Sequence, residues 1–237
     1  MTNRILYMIT FLALITTTML KAQNPSPKTW GPEKIKGARL IPYPSYSGNP
    51  FLNNKFANGE IEFVDGTIQA DISLRYSSYR DEIAYYNTNI AAQIVIDKIS
   101  LKGFSFTDEN GVKRIFRQQY YNGFIPGNRY FEVLSDGDIA LLVFRKVVFQ
   151  TCPLYYDEEG RVKNMSYQQA YNYYLYNKEK GYELIRISKT SIFSKFDKIT
   201  QKTVKKLFRK NRVIITDEAS FVKAFNVLKE NGIKISI

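Results

Sequence analysis

Between Gly59 and Ile187 apolar and polar residues exchange places at almost every step, and this two-residue period constrains the fold more than any other feature of the chain. A strand turns successive side chains to opposite faces, so the period describes a sheet with one dry and one wet face. Ile61 and Phe63 alternate with Glu60 and Glu62, and Asp65-Gly66 offers a turn. Beyond it Ile68, Ala70, Ile72, Leu74 and Tyr76 alternate with Gln69, Asp71, Ser73 and Arg75. The pattern predicts a hairpin of an antiparallel sheet. Strands are also predicted over 82–86 and 93–96, over 99–106 turning at Asn110-Gly111 into 112–116, and over 130–134 turning at Asp136-Gly137 into 139–149. Segments 171–177 and 182–187 flank Lys178-Glu179-Lys180-Gly181 as a further hairpin. The run 139–144 is apolar at every position, as expected of a strand covered on both faces.

Near Asp197 the period lengthens. Val204, Leu207 and Phe208 fall on one side of a helix, with Lys202, Lys205, Lys206 and Arg209 on the other. A second helix is predicted from Thr216 or Asp217, with Phe221, Ala224, Phe225 and Leu228 on one face and a stop at Asn231-Gly232. Two apolar stripes need a surface to cover, and the sheet supplies it. The expected class is therefore α+β, mainly β. It comprises an antiparallel, sandwich-like body over 59–190 and, in the same domain, two C-terminal α-helices over 191–237 packed on it. Six of the eight prolines lie between Pro25 and Pro50, beside Trp30, Tyr43, Tyr46 and Phe51. Proline cannot donate to a ladder, so segment 23–58 is expected to run extended across the body.

At the N-terminus Arg4 precedes an apolar run from Ile5 to Leu20, followed by Lys21-Ala22-Gln23. This reads as a secretory signal peptide over 1–22, cleaved after Ala22. The expected location is exported, periplasmic or secreted, with no transmembrane span after signal removal. The chain has no His and a single Cys, Cys152. Nucleophilic systems that move a proton through imidazole, and zinc or haem sites built on His, are thereby excluded. So are an internal disulfide, a CxxC pair and a four-cysteine zinc site. No metal and no cofactor is expected.

With 34 Lys and Arg against 22 Asp and Glu, the net charge of +12 favours an anionic partner: a glycan, lipopolysaccharide or an acidic envelope protein. Export argues against nucleic acid. Candidate binding residues are Tyr171 and Tyr173, in a tyrosine-dense stretch whose rings suit stacking on sugars, and Lys202, Lys206 and Arg209 on the basic helix face. Hydrolysis without His needs two carboxylates, for which Asp71, Asp81, Glu82 and Asp97 are the candidates. Ser220 and Lys223 have Ser-x-x-K spacing, but the accompanying elements run in the wrong order, so Ser220 reads as a first-turn serine.

Ser47-Gly48-Asn49-Pro50-Phe51-Leu52, Phe56, Gly59, Asp65-Gly66, Leu74-Arg75-Tyr76 and Tyr79-Arg80-Asp81-Glu82 together resemble a pattern of uncharacterised exported proteins of the Bacteroidota. The likeness covers about a third of the chain, with Ser77 where that group usually has Asn. It implies export and a β-rich fold and carries no activity. Its distinctive polar positions, Arg75, Tyr76, Tyr79 and Asp81, are further candidate binding residues, beside the preferred reading of a buried Arg-Asp pair that fixes a strand turn. The functional expectation is a non-catalytic binding or structural module of the cell envelope, with a carboxylate-dependent glycan hydrolase as the alternative.

Overall fold

The Asp65-Gly66 turn forms where the alternation requires it. The Asp65 carboxylate accepts from the Thr67 amide, and the backbone closes from Gly66 N to Phe63 O at 3.0 Å. It joins β2 (Ala57–Phe63) to β3 (Ile68–Ser77), the first hairpin of a computed structural model that describes residues 35–235. The remaining strands are β1 (Gly37–Arg39), β4 (Glu82–Asn87), β5 (Ala92–Ile96), β6 (Leu101–Thr107), β7 (Lys113–Tyr121), β8 (Gly127–Ser135), β9 (Ala140–Tyr156), β10 (Val162–Asn177) and β11 (Gly181–Ile185). The expected signal peptide and Trp30 lie outside the described residues.

All eleven strands belong to one sheet, in the order β1-β5-β4-β3-β2-β6-β7-β8-β9-β10-β11, with antiparallel neighbours throughout. The class is α+β, mainly β, and the body is a single open sheet where sequence suggested a sandwich. The reason is one crossover. After β5 a 3-10 turn, Lys98–Ser100, capped by the Asp97 side chain, carries the chain back to the free edge of β2. Two meanders thus become one sheet joined along β2 and β6. The sheet curls until the β3–β4 turn meets β8 and β9: Val147 N donates to Ser78 O at 3.0 Å and Tyr130 N to the Asp81 carboxylate at 3.3 Å.

Three helices follow: α1 (Lys189–Phe193), α2 (Lys198–Lys210) and α3 (Glu218–Glu230). The sequence reading missed α1, five residues capped by Ser188 and too short to show a period. Asp197 caps α2, accepting from Ile199 N and Thr200 N. Asp217 and Ser220 form a reciprocal capping box at the start of α3, which gives Ser220 the first-turn role expected of it.

Of the run 139–144, residues 140–144 open β9 and are buried on both faces, with the part-buried Ile139 just before it. Leu141 packs with Leu175, Ile185, Phe208, Phe221, Phe225 and Leu228 beneath the helices. Ala140, Leu142 and Phe144 point the other way, toward Phe131 and Tyr174. A further aromatic core lies inside the curl, where Phe104 and Phe116 stack at 4.6 Å and Tyr76 and Tyr130 close on them at 4.9 and 5.0 Å. The described part of the proline-rich segment lies against the body. The Tyr43 ring meets Phe51 at 5.2 Å, and Tyr46 meets Phe149 at 5.3 Å. Among the described residues no helix is long and apolar enough to cross a membrane.

Candidate functional site

Arg75, Tyr76, Tyr79 and Asp81 converge on the β3–β4 turn, but not as the expected Arg-Asp pair. Asp81, at φ +55°, is enclosed by Lys98 Nζ at 2.5 Å and by the Tyr76 hydroxyl, which donates at 2.7 Å. Burial pushes its carboxyl above the ordinary value, against the opposing effect of Lys98 and Tyr76. Arg75 stacks its guanidinium 3.7 Å from the Phe51 ring centroid and donates to Asn53 O at 3.3 Å. Strand alternation explains the exchange: Arg75 and Tyr76 face opposite sides, and Tyr76 shares the side of Asp81. Tyr79 packs on Phe149 at 4.8 Å and Tyr167 at 5.5 Å. Gly48 sits at φ +82°, where an added Cβ would meet Tyr167 O at 2.3 Å, so the Gly-x-Pro element is required for the chain to press against β10. Tyr76 is fully buried, while Arg75, Tyr79 and Asp81 are part-buried, each held by partners within the fold.

Tyr171, 37% exposed, and the part-buried Tyr173 flank a second assembly, on the helix side, built around the buried Arg145 and Glu132. Arg145 donates from Nε to Glu132 at 2.6 Å and from Nη1 and Nη2 to Glu218 at 2.7 Å each, while its Cζ lies 4.5 Å from the Tyr171 ring centroid. Tyr173 donates to Glu218 at 2.8 Å. Glu132 also accepts from Arg114 at 3.0 Å, and Arg114 Nε donates to Asp108 at 2.8 Å. Five alternating charges therefore run from the β6–β7 turn to the first residue of α3. Burial would raise the Glu218 carboxyl, but the hydrogen bonds and charge of Arg145, with the Tyr173 hydroxyl, outweigh it and hold it below the ordinary value. The Tyr171 ring lies against Arg145, and the Tyr173 hydroxyl is engaged by Glu218.

Of the remaining acids, Asp97 caps the 3-10 turn, and Asp71 is exposed, taking the Asn58 amide at 3.4 Å. Burial raises the half-buried Glu82 carboxyl. Asp81 is closed in by Lys98 and Tyr76. The arrangement brings no pair of these into an open groove. Lys202, Lys206 and Arg209 are exposed along α2.

The open site that sequence reasoning missed lies on the sheet face opposite the helices. Tyr121 of β7, Arg129 and Phe131 of β8, Phe144 and Lys146 of β9, and Asn172 and Tyr174 of β10 line a groove of about 350 Å³, with Phe124 and Ile125 of the β7–β8 loop on its rim. Tyr121 and Tyr174 meet at 5.6 Å, and Phe131 lies 5.8 Å from both Tyr174 and Phe144. Arg129 Cζ stands 4.9 Å from the Phe144 centroid and 5.4 Å from Tyr121. One of its Nη groups donates to Ile125 O at 2.8 Å, while its Nε is shielded from solvent without an acceptor. Burial, reinforced by the Tyr121 hydroxyl, pushes Tyr174 up to about 12, so the Tyr174 hydroxyl stays neutral at physiological pH. Phe124 is 98% exposed. The lining holds two cations and no carboxylate. The signal present in the sequence was the second phase of the tyrosine stretch: Tyr174 and Asn172 face away from Tyr171 and Tyr173.

Fold and groove together define a curled mainly-β protein with an aromatic, cationic recess on its uncovered face. Comparison with protein-family models, with curated proteins and with solved structures found no match to this chain.

Proposed function

We propose that the protein is an exported, non-catalytic binding module of the cell envelope that holds an acidic glycan in the Tyr121–Phe144–Tyr174 groove. The observation that carries this reading is the convergence of aromatic faces with Arg129 and Lys146 in a recess without a carboxylate. Rings bury the flat apolar face of a sugar at low entropic cost, and the two cations attract a carboxylate, sulfate or phosphate substituent. The buried Arg129 Nε, a donor without an acceptor, supports an anionic occupant, because a shielded unpaired donor is costly until something accepts from it. A recess lacking an acid also lacks the proton donor that glycoside cleavage requires, which favours binding over hydrolysis at this position.

Calorimetric titration with matched acidic and neutral oligosaccharides tests the reading. Acidic chains are expected to bind and neutral ones to bind at least tenfold more weakly. Tyr121→Ala and Lys146→Gln should each lower affinity about tenfold or more while leaving the circular dichroism spectrum unchanged. Equal affinity for both classes, or full affinity in both variants, removes the groove as the binding site; release of reducing ends would return the glycan hydrolase.

A further inference from the structure

The face of α2 turned away from the body has a composition that its amphipathic role does not require. Between Lys189 and Arg212 there are nine Lys and Arg and a single acid, Asp197, which is consumed in capping α2. Val204 and Phe208 are buried beneath the helix, and Lys202, Lys205, Lys206, Arg209 and Lys210 are exposed above it. Among the described residues the stretch forms one ion pair, Lys195 with Glu183. Of the six α2 cations, Lys205 lies 5.6 Å over the Phe193 ring, and Lys198, Lys202, Lys206, Arg209 and Lys210 are exposed. At 100° per residue, Ile199, Lys202, Lys206 and Arg209 fall on one face, and Ile199, in the first turn of α2 beside Lys198 and Lys202, is 80% exposed.

We infer that this face of α2 docks the protein flat on an anionic phospholipid surface, with the cations at the phosphate level and Ile199 reaching the acyl boundary. Charge complementarity selects an anionic partner, since like charges crowded along about 20 Å of helix are relieved only by opposite charge. The isoleucine selects a bilayer among anionic partners. A lipid headgroup layer has an apolar zone a few ångströms beneath its charge, where a side chain flanked by lysines can bury area; a nucleic acid backbone offers no such layer to a helix lying along it. The inference goes beyond the glycan reading and does not rest on it, because α2 and the aromatic groove lie on opposite faces of β8, β9 and β10. A protein bound through α2 holds its groove facing away from the membrane, where an envelope glycan is reached.

Vesicle flotation of the chain from Gln23 onward, which retains every described residue, provides the test. Vesicles containing 30% phosphatidylglycerol are expected to carry the protein at low salt and to release it at about 0.5 M salt, and pure phosphatidylcholine is expected not to bind. Neutralising Lys202, Lys206 and Arg209 to Gln should weaken binding on the order of a hundredfold, since each basic residue at the surface contributes roughly a fivefold factor. Neutralising the exposed Lys36 and Arg39 beside β1 and Lys55 before β2 removes the same charge and should change it little. Ile199→Asp should weaken binding beyond Ile199→Ser, and Lys146→Gln in the groove should leave it intact. Equal flotation with neutral vesicles, retention by the α2 triple variant, or loss in Lys146→Gln would each overturn the inference. Duplex DNA bound at the same salt as tightly as the anionic vesicles, with no effect of Ile199, would overturn it too, leaving generic polyanion capture.

Discussion

Arg145 shows why single residues in this chain had to be read in three dimensions. A guanidinium in the middle of a strand looks like a wet-face residue, yet this one is 3% exposed and bonded to Glu132 and Glu218. A buried charge is tolerated only when its partners are in place, so the link holds α3 in register on β9. Glu218 carries the pH consequence. Its folded-state value lies below the ordinary one, so its contribution to stability is present above the ordinary carboxylate range and is lost as pH falls through the folded-state value. Urea unfolding at pH 7 should find Glu218→Gln less stable than the parent chain, with the gap narrowing at pH 3; an unchanged gap would mean that the carboxylate is not what Arg145 needs. Asp81 has the opposite sign, because burial raises it and protonation favours the folded state.

At the scale of elements, periodicity and capping residues do most of the local work. The α3 boundary was legible because Asp217 precedes an apolar stripe, and its carboxylate accepts the Ser220 amide at 2.8 Å. Asp217→Ala should therefore cost about 1 kcal/mol in chemical denaturation, measured as a shift of the urea midpoint without a change of slope. The hairpins were legible for the same kind of reason, since Asp-Gly and Asn-Gly turns and alternating side chains act over a few residues. α1 was not, because five residues give less than two helical turns of pattern. The extent of β9 and β10 also escaped. Their far halves, a ribbon ending near Asp157 and Gly160, have little buried area to mark them.

For the molecule as a whole, the helices and the groove share a support, with β9 carrying Leu141 toward one and Leu142 and Phe144 toward the other. A chain ending at Ile187 would leave Leu141, Leu175 and Ile185 uncovered, an apolar face large enough to associate. It is expected to bind a hydrophobic dye and to elute in aggregates by size exclusion, whereas a monomeric product with native-like dye response would show that the sheet stands alone. Sequence by itself determined most of the strands and turns between Gly59 and Ile187, the two long helices and the doubly buried run in β9, because each follows from backbone periods that operate within a few residues. Only the tertiary structure decided that β6 returns to β2, that Asp81 meets Lys98 in place of Arg75, and that the aromatic groove and α2 lie on opposite faces of the sheet. Those outcomes depend on contacts between residues far apart in the chain, where the entropy of closing long loops is offset by burial that no local pattern encodes.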